Sequence, residues 1–93
     1  MDSPFYPEVS EEEIQRERQK ARALRKTPWW NRKRGKGICF YCQNKFKTTE
    51  LTMDHKVPII RGGKSVKGNL VPCCKPCNDK KKHKLAFEWE EYT

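Results

Sequence analysis

Two cysteine pairs, Cys39-x-x-Cys42 and Cys74-x-x-Cys77, constrain this chain more than any other feature. Each pair closes a short turn that turns two sulfur atoms toward one point, and four thiolates gathered in this way suit a tetrahedral zinc ion. The chain needs such a staple. It has 93 residues, enough for one domain at most, and its first third is too polar to contribute a core. A core drawn from residues 35–93 alone supplies only about 3–5 kcal/mol of net stability unless a disulfide or a metal reinforces it. No apolar run has the length of a signal peptide or a membrane span, so a reducing, cytoplasmic compartment is expected, where metal ligation is favoured over disulfides. Cys73 is left over; the x-x spacing to Cys77 favours Cys74 as the ligand, and Cys73 reads as a small buried apolar residue. A closed four-cysteine site has no open position, so this zinc is expected to hold structure and to stay out of any chemistry.

Charge narrows the partner. There are 21 Lys and Arg against 12 Asp and Glu, a formal net charge of +9, which points to a polyanion, with nucleic acid the best fit. A membrane surface fits less well, because the basic residues do not stand opposite a broad apolar helix face.

Residues 1–34 read as an N-terminal arm, a helix and a basic linker, and 35–93 as the compact domain. Ser10 and Glu13 form an S-x-x-E capping box that starts the helix, which runs to about Lys26 with acidic residues early and basic residues late, the order the helix dipole favours. Its apolar stripe, Ile14, Ala21 and Leu24, is thin, so the helix either docks weakly or meets a second subunit. Thr27-Pro28 ends it. Trp29-Trp30 and the basic segment Arg32, Lys33, Arg34 and Lys36 then read as a linker, with the tryptophans either capping the core or stacking on bases. From Gly37 onward three short pieces, 38–46, 51–60 and 69–74, read as strands, and a helix is expected from about Pro76. Leu85, Trp89 and Tyr92 recur at helical spacing and read as a core stripe.

The 31 residues between the cysteine pairs exceed the roughly 15–20 of an ordinary two-knuckle zinc ribbon, so something has been inserted. The insert carries Asp54-His55, Pro58, Gly62-Gly63 and Asn69, and Asn78 follows directly on the last cysteine of the second pair. CxxC, then DHKVPIIRGG, then NLVPCCKPCN with Lys81 behind it resembles the HNH endonuclease family, in its four-cysteine zinc-bearing branch. The resemblance spans residues 39–82. It implies a small α+β fold: a zinc-stapled ββα-metal finger, here with an additional N-terminal helix, that holds one divalent cation against a scissile phosphate of DNA. His55 takes the place of the family's first histidine and Asn69 that of its middle asparagine. Asn78 stands at the third position, which makes an HNN variant.

These residue types suit separate tasks. A neutral imidazole can take a proton from attacking water near physiological pH, which is the expectation for His55. Asp54 and the amide oxygen of Asn78 are hard donors that suit catalytic Mg²⁺ or Mn²⁺, or another divalent cation, better than a soft metal. Asn69 is expected to tie the loop that carries His55 to the second strand. Neighbouring strand residues face opposite ways, so Asp54 and His55 share a site only where the strand is irregular or ends. Arg32, Arg34, Arg61, Lys81 and Lys82 are expected at phosphates, while His83 reads as a solvated histidine. The resemblance implies 5′-phosphate and 3′-hydroxyl products. The absence of a separate sequence-reading domain implies low specificity, and the chain is expected to act as a monomer or homodimer, encoded by a bacterium or a phage. The alternative is a non-catalytic zinc-finger module that binds nucleic acid through its basic surface, a reading that leaves Asp54, His55 and Asn78 without a task. A zinc nucleobase deaminase is excluded, since neither H-x-E nor P-C-x-x-C is present.

Overall fold

The computed structural model describes residues 9–82, 84 and 85. It is a small α+β fold whose elements run α1 (Glu11–Arg25), α2 (Pro28–Gly35), β1 (Leu51–His55), β2 (Leu70–Cys74) and α3 (Lys75–Lys81), joined by turns. Ser10 caps α1 as expected, its hydroxyl accepting the Glu13 N–H at 3.1 Å. The segment read as a linker is a second helix. Thr27 ends α1 and caps α2, with its hydroxyl near the Trp30 N–H at 3.4 Å, and Pro28 occupies the first turn, where a missing N–H costs nothing. A proline that stops one helix thus starts the next.

α2 packs on β2 and buries Trp30 to 2 % exposure. The two strands pair antiparallel from Leu51 opposite Cys74 to His55 opposite Leu70. Every β2 residue is buried. Pro72 can stand in mid-strand because β2 has one partner strand among the described residues: on the open side its carbonyl accepts the Phe40 N–H at 2.9 Å. The core gathers Cys39, Tyr41, Leu51, Val71, Cys73, Cys74 and Cys77, with Cys42 and Phe46 packed against it. Cys73 is fully buried, and burial pushes its thiol pKa well up, in keeping with an inert apolar role.

The piece read as a strand at 38–46 is instead a knuckle turn, held by one bridge between Ile38 and Lys45. Gly37 closes it at φ +69°, where a Cβ would stand 2.9 Å from the Phe46 carbonyl. The second expected strand stops at His55, well short of Ile60, and α3 begins at Lys75 with Pro76 in its first turn. Trp89, Tyr92 and His83 lie outside the described residues, and Leu85 belongs to none of the named helices or strands. No helix among the described residues is long and apolar enough to cross a membrane.

α1 docks on its own chain, and not through its apolar stripe alone. Ile14, Glu17, Ala21 and Leu24 share one helix face, and in its middle Glu17 and Ala21 are buried, with exposures of 3 % and 2 %. A carboxylate is tolerated there because it has donors: Glu17 Oε1 accepts the Ser65 N–H at 2.6 Å and Oε2 meets Lys20 at 3.1 Å. The Ser65 N–H, with help from Lys20, holds the Glu17 pKa below the ordinary carboxylate value although burial opposes it.

Candidate active site and metal centre

The knuckle at 39–42 and the β2–α3 junction bring the sulfur atoms of Cys39, Cys42, Cys74 and Cys77 within 4.8 Å of one another. Cys42 Sγ and Cys74 Sγ stand 3.9 Å apart, far too long for a disulfide. That spacing matches the edge of roughly 3.8 Å that zinc–sulfur bonds of about 2.3 Å impose on a tetrahedron. The local backbone supports thiolates here. Burial raises the Cys39 thiol, but the N–H groups of Cys42, Cys74 and Tyr41 outweigh it and bring its pKa down to about 7. Burial and the neighbouring sulfurs push Cys77 up, and burial does the same to Cys74. Four crowded thiols of this kind ionise together only with a cation among them, so the donor set fits a metal such as zinc.

A second, polar site lies where β1 ends. Asp54, His55 and Asn78 line one cleft of about 440 Å³, together with Met53, Pro58, Ile59 and Ile60, and with Ile14 and Arg18 of α1 and Lys82 beyond α3. Because β1 stops at His55, the two neighbours reach the same hollow by different routes. Asp54 is buried, and its Oδ2 accepts the Tyr41 hydroxyl at 2.6 Å and faces the Lys81 ammonium at 3.4 Å. Both contacts fall on one oxygen, and Oδ1 accepts no hydrogen bond among the described residues. His55 is half-buried, its Nε2 2.8 Å from the Ser65 hydroxyl. Burial, with the Lys81 and Arg25 cations behind it, outweighs the Asp54 and Glu17 carboxylates and holds the ring below its ordinary 6.5, so it is neutral at pH 7.

Asn69 sits at the turn that opens β2 and makes three hydrogen bonds to the segment after His55. Its Oδ1 accepts the Val57 N–H at 2.9 Å, while Nδ2 donates to the carbonyls of Val57 at 3.1 Å and Lys64 at 2.9 Å. One acceptor facing an N–H and one donor facing two carbonyls leave a single consistent orientation of the amide. Gly63 completes the loop. A Cβ there would fall 1.7 Å from the Val57 carbonyl oxygen, so no other residue fits without moving the loop.

Lys81 does not stand where a phosphate contact was expected. It is 1 % exposed, donates to the His55 carbonyl at 3.0 Å and spends its charge on Asp54. Of the other expected phosphate contacts, Lys82 is exposed at the cleft, Arg32 is exposed and Arg34 half-buried on α2, and Arg61 is half-buried in the turn after Pro58. Sequence reasoning missed Tyr41, Ser65, Glu17 and Arg18. Only Glu17 carried a signal, as a carboxylate inside an apolar stripe.

Two antiparallel strands, a following helix and a four-cysteine cluster whose donors fit a metal, beside a polar cleft, define a small α+β module. Its residues 39–91 match the family described as HNH endonuclease, and the chain belongs to that family, which places it among the nucleases. No individual curated protein matches the chain.

Proposed function

We propose that this protein is a metal-dependent DNA endonuclease of low sequence specificity, in which neutral His55 removes the proton of an attacking water. The products are a 5′ phosphate and a 3′ hydroxyl. The observation that carries this reading is the convergence of His55, Asp54 and Asn78 on one cleft with Arg18 and Lys82 beside it. The zinc of the four-cysteine site is structural, since those ligands close its coordination shell.

The donors at the cleft fit a hard cation: Asp54 retains an uncommitted carboxylate oxygen and Asn78 offers an amide oxygen. Bound to them, Mg²⁺ or Mn²⁺ would supply positive charge to the phosphate and to the departing 3′ oxygen. The chain's own residues do the rest. Lys81 and Tyr41 hold the Asp54 carboxylate in place from behind. Asn69 fixes the loop that leaves His55, and the half-buried ring stays neutral and able to accept a proton. Arg18 and Lys82 meet phosphates beside the cleft, and Arg32, Arg34 and Arg61 contact the backbone further out. Phosphate contacts position a duplex without reading its sequence, which accords with low specificity. One His55 site per chain makes a nick the unit event, and two cuts require a dimer or two encounters.

Relaxation of supercoiled plasmid by the zinc-loaded protein tests the reading. Cleavage with Mg²⁺ or Mn²⁺ is expected, absent from divalent-free buffer and absent from a His55→Ala variant of wild-type zinc content. A folded protein that binds the plasmid and never cuts it would instead be a zinc module for nucleic-acid binding.

A further inference from the structure

The partners of the Ser65 hydroxyl fix the position of a proton on His55. The Ser65 hydroxyl lies 2.5 Å from the main-chain carbonyl of Glu17 and 2.8 Å from His55 Nε2. A carbonyl only accepts and a hydroxyl has one proton, so the Ser65 proton goes to Glu17. Nε2 must then be the donor to Ser65 Oγ. In neutral His55 the proton therefore sits on Nε2 and the lone pair on Nδ1, which takes part in no hydrogen bond among the described residues.

The serine is itself held at both ends. Its N–H donates to the Glu17 carboxylate at 2.6 Å, its hydroxyl donates to the carbonyl of the same residue, and it is 3 % exposed. One turn of α1 therefore grips Ser65, and Ser65 grips the ring. Glu17 lies outside residues 39–91, the stretch that matches the family.

From this we propose that Ser65 and Glu17 are positioning residues for His55, which makes α1 a working part of the active site. Together they keep the ring in the tautomer whose Nδ1 accepts the proton. As Nδ1 takes the proton of water, Nε2–H remains donated to Ser65 Oγ and the Ser65 proton remains on the Glu17 carbonyl, so the imidazolium forms without rearrangement of its partners. The inference rests on the nuclease reading of the site, and two measurements keep the two apart.

The first is the imidazole region of the ¹H–¹⁵N spectrum of the full, zinc-loaded chain. A slowly exchanging His55 Nε2–H resonance is expected in the wild type and in Glu17→Gln, which keeps an oxygen for the Ser65 N–H. It is expected to vanish in Ser65→Ala and in Glu17→Ala. The second is plasmid-cleavage kinetics of the same variants, each checked for zinc content and helicity. Ser65→Ala and Glu17→Ala are expected to lose about 10- to 100-fold in kcat with little change in KM, the range seen when the partner that orients a functional histidine is removed. Glu17→Gln is expected within a few-fold of wild type, about the spread a neutral acceptor introduces. Wild-type kcat in Ser65→Ala, beside an inactive His55→Ala, overturns the inference and leaves the nuclease reading standing. A wild type that shows the Nε2–H resonance but cuts nothing overturns the nuclease reading, and the catalytic role inferred for Ser65 falls with it.

Discussion

At the residue scale, the proposed chemistry depends on the state of one imidazole. Burial lowers the His55 pKa below 6.5, so the ring stays unprotonated until the pH falls below that value, and a cation beside it would lower it further. The acid limb of kcat against pH is therefore expected below pH 6.5; a limb displaced above pH 7 would mean that another group is the base. Stability moves the same way: the unfolded chain binds the His55 proton more readily than the folded one, so stability is lost as pH falls from about 6.5 toward the lower folded value. Asn69 acts by geometry. Replacing it by alanine removes three hydrogen bonds from the loop after His55, with an expected cost of about 1–3 kcal/mol in urea unfolding. A fall of up to about 100-fold in kcat is expected if the loop carries His55 with it. Asn69→Asp sharpens the test: it keeps the acceptor for the Val57 N–H but sets a second carboxylate oxygen against the Val57 and Lys64 carbonyls, so it should not restore activity.

Elements matter through what they bury. Lys81 is the last residue of α3 and only 1 % exposed, yet its ammonium spans the His55 carbonyl and the Asp54 carboxylate. It joins the helix to the end of β1 and keeps the two elements in register across the cleft. Lys81→Met preserves most of the volume but leaves Asp54 with Tyr41 alone, and loss of one member of a buried pair costs about 3–5 kcal/mol. Chemical denaturation at neutral pH should show a loss in that range. A change below about 1 kcal/mol, the scale of a solvent-exposed pair, would mean that the contact is screened by water. The short helix α2 illustrates a different rule: Pro28 cannot continue α1, but its fixed φ and missing N–H suit the first turn of a new helix, and Thr27 supplies the cap.

On the scale of the whole molecule, the four-cysteine cluster closes the core from which both strands and α3 emanate. Structural zinc contributes on the order of 10–16 kcal/mol to folding, far beyond what so small a core supplies. Removal of the metal by a strong chelator is expected to abolish the near-ultraviolet signal of buried Trp30 and the Nε2–H resonance of His55 together, and one equivalent of zinc should restore both. Retention of native spectra by metal-free protein would show that packing alone holds the fold. The same coupling makes a serine variant at any of the four clustered cysteines an unfolded control and not an active-site probe.

The two CxxC pairs were legible in the sequence because thiolate ligation depends on residue type and local spacing, and so were the α1 cap and the class of fold; Asp54, His55, Asn69 and Asn78 stood out as candidates only through their joint resemblance to a family motif. What the sequence could not determine was anything that depends on two distant segments meeting. Trp29-Trp30 carries no mark that tells a linker from a helix packed on β2. The 38–46 piece has the composition of a strand, but the turn between its cysteines leaves it a single bridge. Lys81 looks like any lysine in a basic run until Asp54, 27 positions earlier in the chain, is folded against it. Ser65 is an unremarked loop serine until α1 supplies the carboxylate and carbonyl of Glu17. Burial and hydrogen-bond partners are properties of the packed chain, and it is packing that turned two surface-looking charges and a serine into the setting of His55.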